Sequence, residues 1–346
     1  MSQDDDLKFP KVIAGEWQPV EFLHADLLHS ILTGSADFYE DRRIVIDGDL
    51  LVLQVANETI RSRQIEIPPA SPYRGHLHCD QLVRFSGDGQ HIWHLGYLEG
   101  WATCFLIDAA TLEVLDQFEP QVFDWSTEKY SRIQDWMELQ ARVHASHPNA
   151  IVIHANAGDD ISLLYGLVAE NDKIINHSGD RYYEFARDLL DERIGDAIFG
   201  SESQLLILDD VSCITWSQFP QPEEVKKVWL HNMLENDEFN IHVWPEHKGE
   251  NFFRASQDLG IYHDRILVDL VDPAFNHPGN IEELIATMVL DRELNPIGFM
   301  RPPVIDSSKT EPKLPLELTQ ISGGFFANQQ GVWKPELLTY LLRREQ

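Results

Sequence analysis

Short runs of hydrophobic residues, each ended by turn-forming residues, recur along most of the chain. Residues 83–118 show the pattern best. There, Ser86-Gly87-Asp88-Gly89 has the composition of a tight turn, and the runs beside it are rich in strand-forming residues. This stretch predicts four short strands joined by three tight turns: Val83–Phe85, Trp93–Leu95, Trp101–Ile107 and Leu112–Phe118.

The same order of strands and turns returns in residues 143–177, where Ser146 stands 60 residues after Ser86. The strands predicted there are Val143–Ser146, Ala150–Ala155, Ile161–Val168 and Lys173–His177. Weaker copies follow at Ile198–Phe219 and in residues 285–300, where Leu290-Asp291 echoes Ile107-Asp108. Further turn-centred units are predicted around Asp47-Gly48 and Gly323-Gly324.

Units spaced by about 40 to 60 residues are typical of β-propeller blades, although one unit alone would also fit half of a β-sandwich. We therefore predict an all-β fold, a β-propeller of six or seven irregular four-stranded blades. It would form a single domain over residues 1–346. Residues 1–40 are either an N-terminal extension or strands of the first blade.

Three segments have a helical rather than a strand period, and we expect inserted helices between the blades. In residues 126–144, Tyr130, Ile133, Trp136, Met137 and Val143 would share one helix face. Residues 180–194 and 222–236 show similar patterns. The alternative is an α+β or α/β fold in which these helices pack on sheets.

The unit Val83–Phe118 resembles a blade of the WD40-like β-propellers. Its turn Ser86-Gly87-Asp88-Gly89 matches their Ser-x-Asp-Gly turn, Ile107-Asp108 stands where their third strand ends in Trp-Asp, and Leu112–Phe118 matches the closing strand. The resemblance implies a disc of blades whose loops bind partners, most often proteins. It implies nothing about chemistry.

The charge balance narrows the range of partners. With 27 Lys and Arg against 57 Asp and Glu, the formal charge is −30, which opposes binding to nucleic acid or to anionic membranes. A basic protein partner remains possible, although the charge could equally serve solubility alone. Three cysteines (Cys79, Cys104 and Cys213) and an acidic N-terminus favour reduced thiols and a cytoplasmic location.

Candidate chemistry is sparse. His76 and His78 alternate, so on a strand both side chains would lie on one face, as metal ligation could require. The favoured alternative is a polar loop or edge strand before a blade, since Cys79 would point away from the two histidines. The sequence contains no nucleophile elbow, phosphate-binding loop or zinc-protease motif, so we expect no cofactor.

A partner-binding surface is predicted from the repeat. If the two best units are neighbouring blades, the connections 97–101 and 156–160 lie on the same rim. They would present aromatic side chains beside acids, which suits a basic protein: Tyr97, Glu99, Trp101, Asp159 and Asp160. The alternative places Trp101 between blades and leaves the acids as solvated turn residues.

The sequence thus favours a non-enzymatic, cytoplasmic, protein-binding propeller with a neutralising or scaffold role. The alternative is a propeller hydrolase or lyase with a metal in the central channel. The predicted strand register also makes six side chains buried: Phe85, Ile92, Phe105, Ile107, Val152 and Leu164.

Overall fold

The structure, a computed structural model, describes the chain in separate stretches. They are residues 11–13, 18–19, 30, 34–56, 58–67, 81–124, 129–133, 137–144, 147–156, 162–177, 194–201, 203–209, 213–219, 223–230, 254–262, 265–271, 284–300, 319–321, 325–328 and 331–334. Nearly all of these residues belong to β-strands or to the turns between them.

Two short strands come first, β1 (Lys11–Ile13) and β2 (Gln18–Pro19). Successive sheets follow, which we call blades. Blade 1 contains β3 (Ala36–Tyr39), β4 (Arg42–Asp47), β5 (Leu50–Val55) and β6 (Glu58–Gln64). Blade 2 contains β7 (Leu82–Phe85), β8 (His91–Leu98), β9 (Trp101–Asp108) and β10 (Val114–Phe118). A two-stranded ribbon follows blade 2: β11 (Gln121–Asp124) and β12 (Lys129–Arg132).

The remaining blades repeat this meander. Blade 3 contains β13 (Met137–His144), β14 (His147–Asn156), β15 (Ser162–Glu170) and β16 (Lys173–Asn176). Blade 4 contains β17 (Ile194–Ser201), β18 (Gln204–Asp209), β19 (Cys213–Gln218) and β20 (Glu224–Trp229). Blade 5 contains β21 (Arg254–Tyr262), β22 (Arg265–Val271), β23 (Leu284–Leu290) and β24 (Pro296–Met300). Blade 6 contains β25 (Thr319–Ile321), β26 (Phe325–Asn328) and β27 (Gly331–Lys334).

The arrangement of the blades is that of a β-propeller. The first strand of each blade contacts the first strand of the next, from β3 through β7, β13, β17 and β21 to β25, so these strands form the inner edge. At the N-terminal end, β2 pairs antiparallel with β27 and completes blade 6. The two ends of the chain therefore meet in one sheet, which closes the series. β1 pairs parallel with β24 as a fifth strand of blade 5.

Hydrophobic clusters lie between consecutive blades, because side chains alternate between the two faces of every strand. Blades 1 and 2 share a cluster that includes Ile44, Leu51, Val83, Phe85 and Ile92. Trp93, Leu95 and Tyr97, on the other face of β8, pack against Ile151 and Ile153 of blade 3. The alternation continues between blades 3 and 4 and between blades 4 and 5. Both faces of an inner blade are therefore buried.

Hydrogen bonds between blades fix their relative positions. The Phe85 amide of blade 2 donates to Oδ2 of the buried Asp37 in blade 1, at 2.7 Å. The Arg84 guanidinium donates from Nε to the Ala141 carbonyl of blade 3, at 3.3 Å. At the outer strands, the Ile174 amide donates to Oδ2 of Asp116, at 2.9 Å. Neighbouring blades are thus joined at their inner and outer edges.

Two turns between third and fourth strands confirm the predicted echo of Ile107-Asp108 in Leu290-Asp291. In blade 2, Oδ1 of Asp108 accepts hydrogen bonds from the amides of Ala110 and Thr111. In blade 5, Oδ1 of Asp291 accepts hydrogen bonds from the amides of Glu293 and Asn295. Each turn carries a buried leucine with positive φ: Leu112 (60°) and Leu294 (62°).

The all-β propeller prediction is confirmed, and the α/β alternative is wrong because every described strand pair except β1–β24 is antiparallel. The six side chains predicted to be buried are buried. Cys104 and Cys213 are buried and form no disulfide, and burial raises the pKa of the Cys104 thiol; Cys79 lies outside the described residues. The number of blades and the single domain over 1–346 stay predictions.

The helix predicted at 126–144 is wrong, because β12 and β13 occupy this segment. Leu139 and Ala141 both face blade 2, and this period of two fits a strand rather than a helix. The helix at 222–236 is also wrong over 224–229, since β20 pairs there with β19, whereas Leu230 is helical and 231–236 lie outside the described residues. The helix at 180–194 lies outside the described residues apart from Ile194, the first residue of β17. Of residues 1–40, β3 belongs to blade 1, whereas β1 and β2 join blades 5 and 6.

Two buried histidines make stability depend on pH. Burial, reinforced by the charge of Arg63, lowers the pKa of His94 to about 3, and burial with Arg142 lowers the pKa of His154 to about 4. In the unfolded chain each pKa is near 6.5, so below that pH the unfolded state binds protons that the folded state does not. Lowering the pH from 7.5 to 5.5 should reduce the unfolding free energy by about 1.4 kcal/mol per histidine.

Urea unfolding at the two pH values, in buffers without phosphate, measures this effect. His154→Leu should remove about half of the pH-dependent loss, because only one of the two histidines then titrates. A wild-type unfolding free energy that is equal at pH 7.5 and 5.5 would contradict the prediction.

Candidate interaction surface

The connection between β8 and β9 is a two-residue hairpin turn. Leu98 pairs with Trp101, which leaves Glu99 and Gly100 as the central residues. Both have positive φ, 54° and 79°, as in type I′ turns, whose twist matches that of the flanking strands. Gly100 adopts this conformation readily, whereas Glu99 adopts it at a cost.

A carboxylate from blade 1 holds this turn. Glu66, two residues after the end of β6, accepts hydrogen bonds from the Glu99 amide through Oε2 at 2.7 Å and from the Gly100 amide through Oε1 at 2.6 Å. Consecutive amides converging on an anion form a favourable, charge-assisted contact. The contact offsets the backbone strain at Glu99 and fixes the hairpin tip of blade 2 to blade 1.

The first residue after this turn is an exposed aromatic. The Trp101 side chain is 36% exposed, and the guanidinium of Arg132 lies over its ring, 6.0 Å from the centroid. Arg132 is in turn held by Glu119, with Nε 2.9 Å from Oε2. A guanidinium over an indole face is attractive, so Trp101 and Arg132 stabilise each other's position.

The ribbon of β11 and β12 supplies a second aromatic. Tyr130 and Arg132 are two residues apart on β12, so they lie on the same face of the ribbon, and Tyr130 is 51% exposed. The Tyr165 hydroxyl of blade 3 donates to the Gln121 carbonyl at 2.6 Å and accepts from the Gln121 amide at 3.1 Å. The Ala102 amide of β9 donates to the Ile133 carbonyl at 2.9 Å. Both strands of the ribbon are therefore tied to blades, at the end where Gln121 pairs with Arg132.

Together these residues form what we call the ribbon–hairpin surface: Glu99, Trp101, Tyr130 and Arg132. Its two aromatic side chains are exposed, Arg132 lies over the Trp101 ring, and Glu99 stands in the turn before Trp101. Glu66 and the ribbon contacts hold it in place without covering it. Such a combination of fixed aromatic side chains with a charged rim is typical of protein-binding surfaces.

The predicted partner-binding residues have different outcomes. Glu99 and Trp101 lie at the surface as expected. Tyr97 does not, because it is only 2% exposed. It belongs to β8 rather than to the turn, and it shares the face of Trp93 and Leu95 that packs against blade 3. Asp159 and Asp160 lie outside the described residues, as do the metal candidates His76 and His78.

Sequence reasoning missed Tyr130, Arg132 and Glu66. The first two were assigned to a helix, whereas the structure places them on strand β12. Glu66 carried no local signal, since the turn it binds lies 33 residues further along the chain.

Two searches of the described residues bear on other kinds of site. Among them, no group of three or more His, Cys, Asp or Glu side chains is arranged to hold a metal ion. Within the same part of the chain, no helix has the length and apolar character that crossing a membrane would require.

Removing the charge of Glu66 should loosen the hairpin tip. In Glu66→Gln the two amides lose their shared carboxylate, and since a hydrogen bond to a charged group contributes about 1.5 kcal/mol or more, exchange of the Glu99 and Gly100 amides should speed up roughly 10-fold. Hydrogen exchange followed by mass spectrometry on peptides covering 98–101 measures this. Glu113→Gln, which alters an exposed acid in another turn of the protein, is the matched control. Unchanged exchange in Glu66→Gln would show that the carboxylate does not hold the turn.

No protein-family model and no curated protein sequence matches the chain. Among solved structures, it is similar to the dihydro-heme d1 dehydrogenase NirN in complex with DHE, over 78% of this chain and 47% of that one, at 12% identity and a TM-score of 0.43. The chain thus spans about half the length of NirN. YCF48 bound to D1 peptide is similar over 87% and 77% of the two chains, at 11% identity and a TM-score of 0.41. BamB from Moraxella catarrhalis is similar over 86% of this chain and 80% of its own, at 9% identity and a TM-score of 0.38. Because these TM-scores are below 0.5, the propeller assignment rests on strand order and closure.

Proposed function

We propose that this protein is a non-catalytic binding module of the cytoplasm that holds a basic protein on the ribbon–hairpin surface. One observation carries the proposal: Trp101 remains exposed although Arg132, Glu119 and Glu66 fix its surroundings. Fixing a large aromatic in place before binding reduces the entropy lost on association. An exposed tryptophan held in this way is suited to act as an anchor.

The charge supports a basic partner. A net charge of −30 attracts a cationic protein over distances of a Debye length and repels nucleic acid and anionic lipid. Glu99 places one acid beside Trp101. Asp159 and Asp160 belong to the connection between β14 and β15, which corresponds to the Glu99–Gly100 turn of blade 2, and the proposal retains them as part of the same rim. Capping a basic protein would be a neutralising role, and holding it for others a scaffold role.

The first test is affinity capture from a lysate of the source organism, with the full-length protein as bait. Trp101→Ala should lower recovery of the partner at least 10-fold, as removal of a central aromatic anchor does. Val225→Ala changes an exposed apolar side chain on the outer strand of blade 4 and should leave recovery unchanged. Equal recovery by all baits, or a captured partner that is acidic, would overturn the proposal.

The kinetics should separate charge from contact. Reversing Glu99, Asp159 and Asp160 to Lys should mainly slow association, because steering depends on charge, and raising the salt should slow wild-type association in the same way. Trp101→Ala should mainly speed dissociation, by about 10-fold or more. Surface plasmon resonance with the captured partner measures both rates. An association rate indifferent to salt and to the triple reversal would place the docking face elsewhere.

A further inference from the structure

A polar side chain interrupts the apolar contact between blades 3 and 4. The cluster at this contact contains residues of both blades: Ala150, Val152, Leu164, Val168, Ala197, Phe199, Leu205, Ile207 and Phe219. His154 lies on the same face of β14 as Val152 and directly opposite Leu164 of β15. Its side chain is 4% exposed. An imidazole therefore sits where the neighbouring positions are hydrocarbon.

Blade 2 shows what this position ordinarily holds. Arg84 of β7 pairs with Trp93, and Arg142 of β13 pairs with Val152, so the two arginines mark equivalent places on the inner strands. Counting two residues further along the second strand reaches Leu95 in blade 2 and His154 in blade 3. Leu95 is fully buried in the cluster facing the next blade. Blade 3 thus has a histidine in a leucine position.

Neither ring nitrogen of His154 has a hydrogen-bond partner in the protein, although both are buried. A buried polar atom left unpaired costs about 1–3 kcal/mol, so the two ring nitrogens of His154 call for a hydrogen-bonding partner from outside the protein. Among the described residues, the other fully buried histidine, His94, has a hydrogen-bond partner. His94 places Nε2 2.7 Å from Oε1 of Gln81 and stacks on Phe105 with the ring centroids 5.5 Å apart.

Arg142 determines which ligand His154 could take. It is buried on the inner strand, on the same face of blade 3 and diagonally across from His154, within reach of a long side chain. Its fixed positive charge disfavours a metal cation at the imidazole. A small anion would instead gain both the attraction of the guanidinium and a hydrogen bond from the ring.

We propose that Arg142 and His154 form a binding site for a small oxyanion between blades 3 and 4, beside the inner strands. The oxygen atoms of a phosphate, sulfate or carboxylate group accept hydrogen bonds from Arg142 and from the protonated ring nitrogen of His154. The bound anion gives the buried imidazole a hydrogen-bond partner and lies between the two blades. The site is independent of the ribbon–hairpin surface.

Thermal unfolding of the full-length protein tests the site, with inorganic phosphate as the probe and potassium chloride at matched ionic strength as the reference. Saturating phosphate should raise the Tm of the wild type by about 2–4 °C, since a ligand that binds the folded state stabilises it. His154→Leu restores the residue of blade 2, so it should fold with an equal or higher Tm and lose the phosphate response. Arg142→Gln should lose the response as well. Arg292→Gln removes an exposed cation elsewhere and should retain it.

Sulfate and acetate in place of phosphate identify the class, because the larger response at equal concentration names the preferred group. A wild-type Tm that phosphate raises no more than chloride does would overturn the proposal. A response of equal size in His154→Leu would do so too, since it would mean an adventitious ion only, bound at another place. His154→Leu is expected to fold, so the outcome does not depend on the stability of Arg142→Gln.

Discussion

The need to bury both faces of every sheet governs this structure. A four-stranded sheet with hydrophobic side chains at alternate positions on both faces cannot cover them by itself. In blade 2, Val83 and Ile92 pack toward blade 1 while Trp93 and Leu95 pack toward blade 3. Each blade is therefore stable only between two others, and a ring is the arrangement that leaves no end blade uncovered. The pairing of β2 with β27 brings strands from near both ends of the chain into one sheet, as a ring requires.

Polar contacts between blades then make the ring specific. Apolar faces alone would tolerate small rotations of one sheet on another, because dispersion and the hydrophobic effect have little direction. Directed bonds remove this freedom: Asp37 to the Phe85 amide, Arg84 to the Ala141 carbonyl, and Asp116 to the Ile174 amide. The Glu66 carboxylate on the Glu99–Gly100 turn belongs to the same set. The hairpin of the ribbon–hairpin surface is held in place by this contact between blades 1 and 2.

The parts of the fold that follow from local chemistry could be predicted from the sequence. Turn-forming residues and alternating runs located the strands of blades 2 and 3. The burial of Phe85 and Val152 followed from their positions along the strand, which decide the face of the sheet on which a side chain lies. The error at Tyr97 came from placing a turn two residues too early, which assigned a strand residue to the surface. The error at 126–144 arose because the spacing of its apolar residues fits a helix as well as a strand. In the structure, this segment forms strands, and β13 pairs with β14.

Contacts between distant residues left no trace in the local pattern. The β1–β24 and β2–β27 pairs join the two ends of the chain and involve two or three residues each, too few for a periodicity. Glu66 and Arg132 took part in the candidate surface only through residues of other elements. In the sequence, His154 is one more polar residue in a strand. Only the strand registers of blades 2 and 3 show that its position corresponds to that of the buried Leu95.

Some of the cationic side chains of this acidic chain lie inside the propeller. The chain has 27 Lys and Arg against 57 acids, yet Arg84, Arg142 and Arg265 are buried. Arg42 lies over the rings of Tyr39 and Phe85, at 5.2 and 5.5 Å from their centroids, where blades 1 and 2 meet. Cations used in this way inside the ring do little to offset exposed acids such as Glu40, Asp41, Glu113 and Asp172.

Attraction between exposed charges cannot by itself orient a binding partner, because steering by charge has little geometric selectivity. Orientation must come from short-range contacts. Among the described residues, exposed aromatic side chains occur at Trp101 and Tyr130, on the hairpin and the ribbon beside it. In the proposed function, the charge of the whole protein acts on the rate of encounter, and the two rings act on the choice of face.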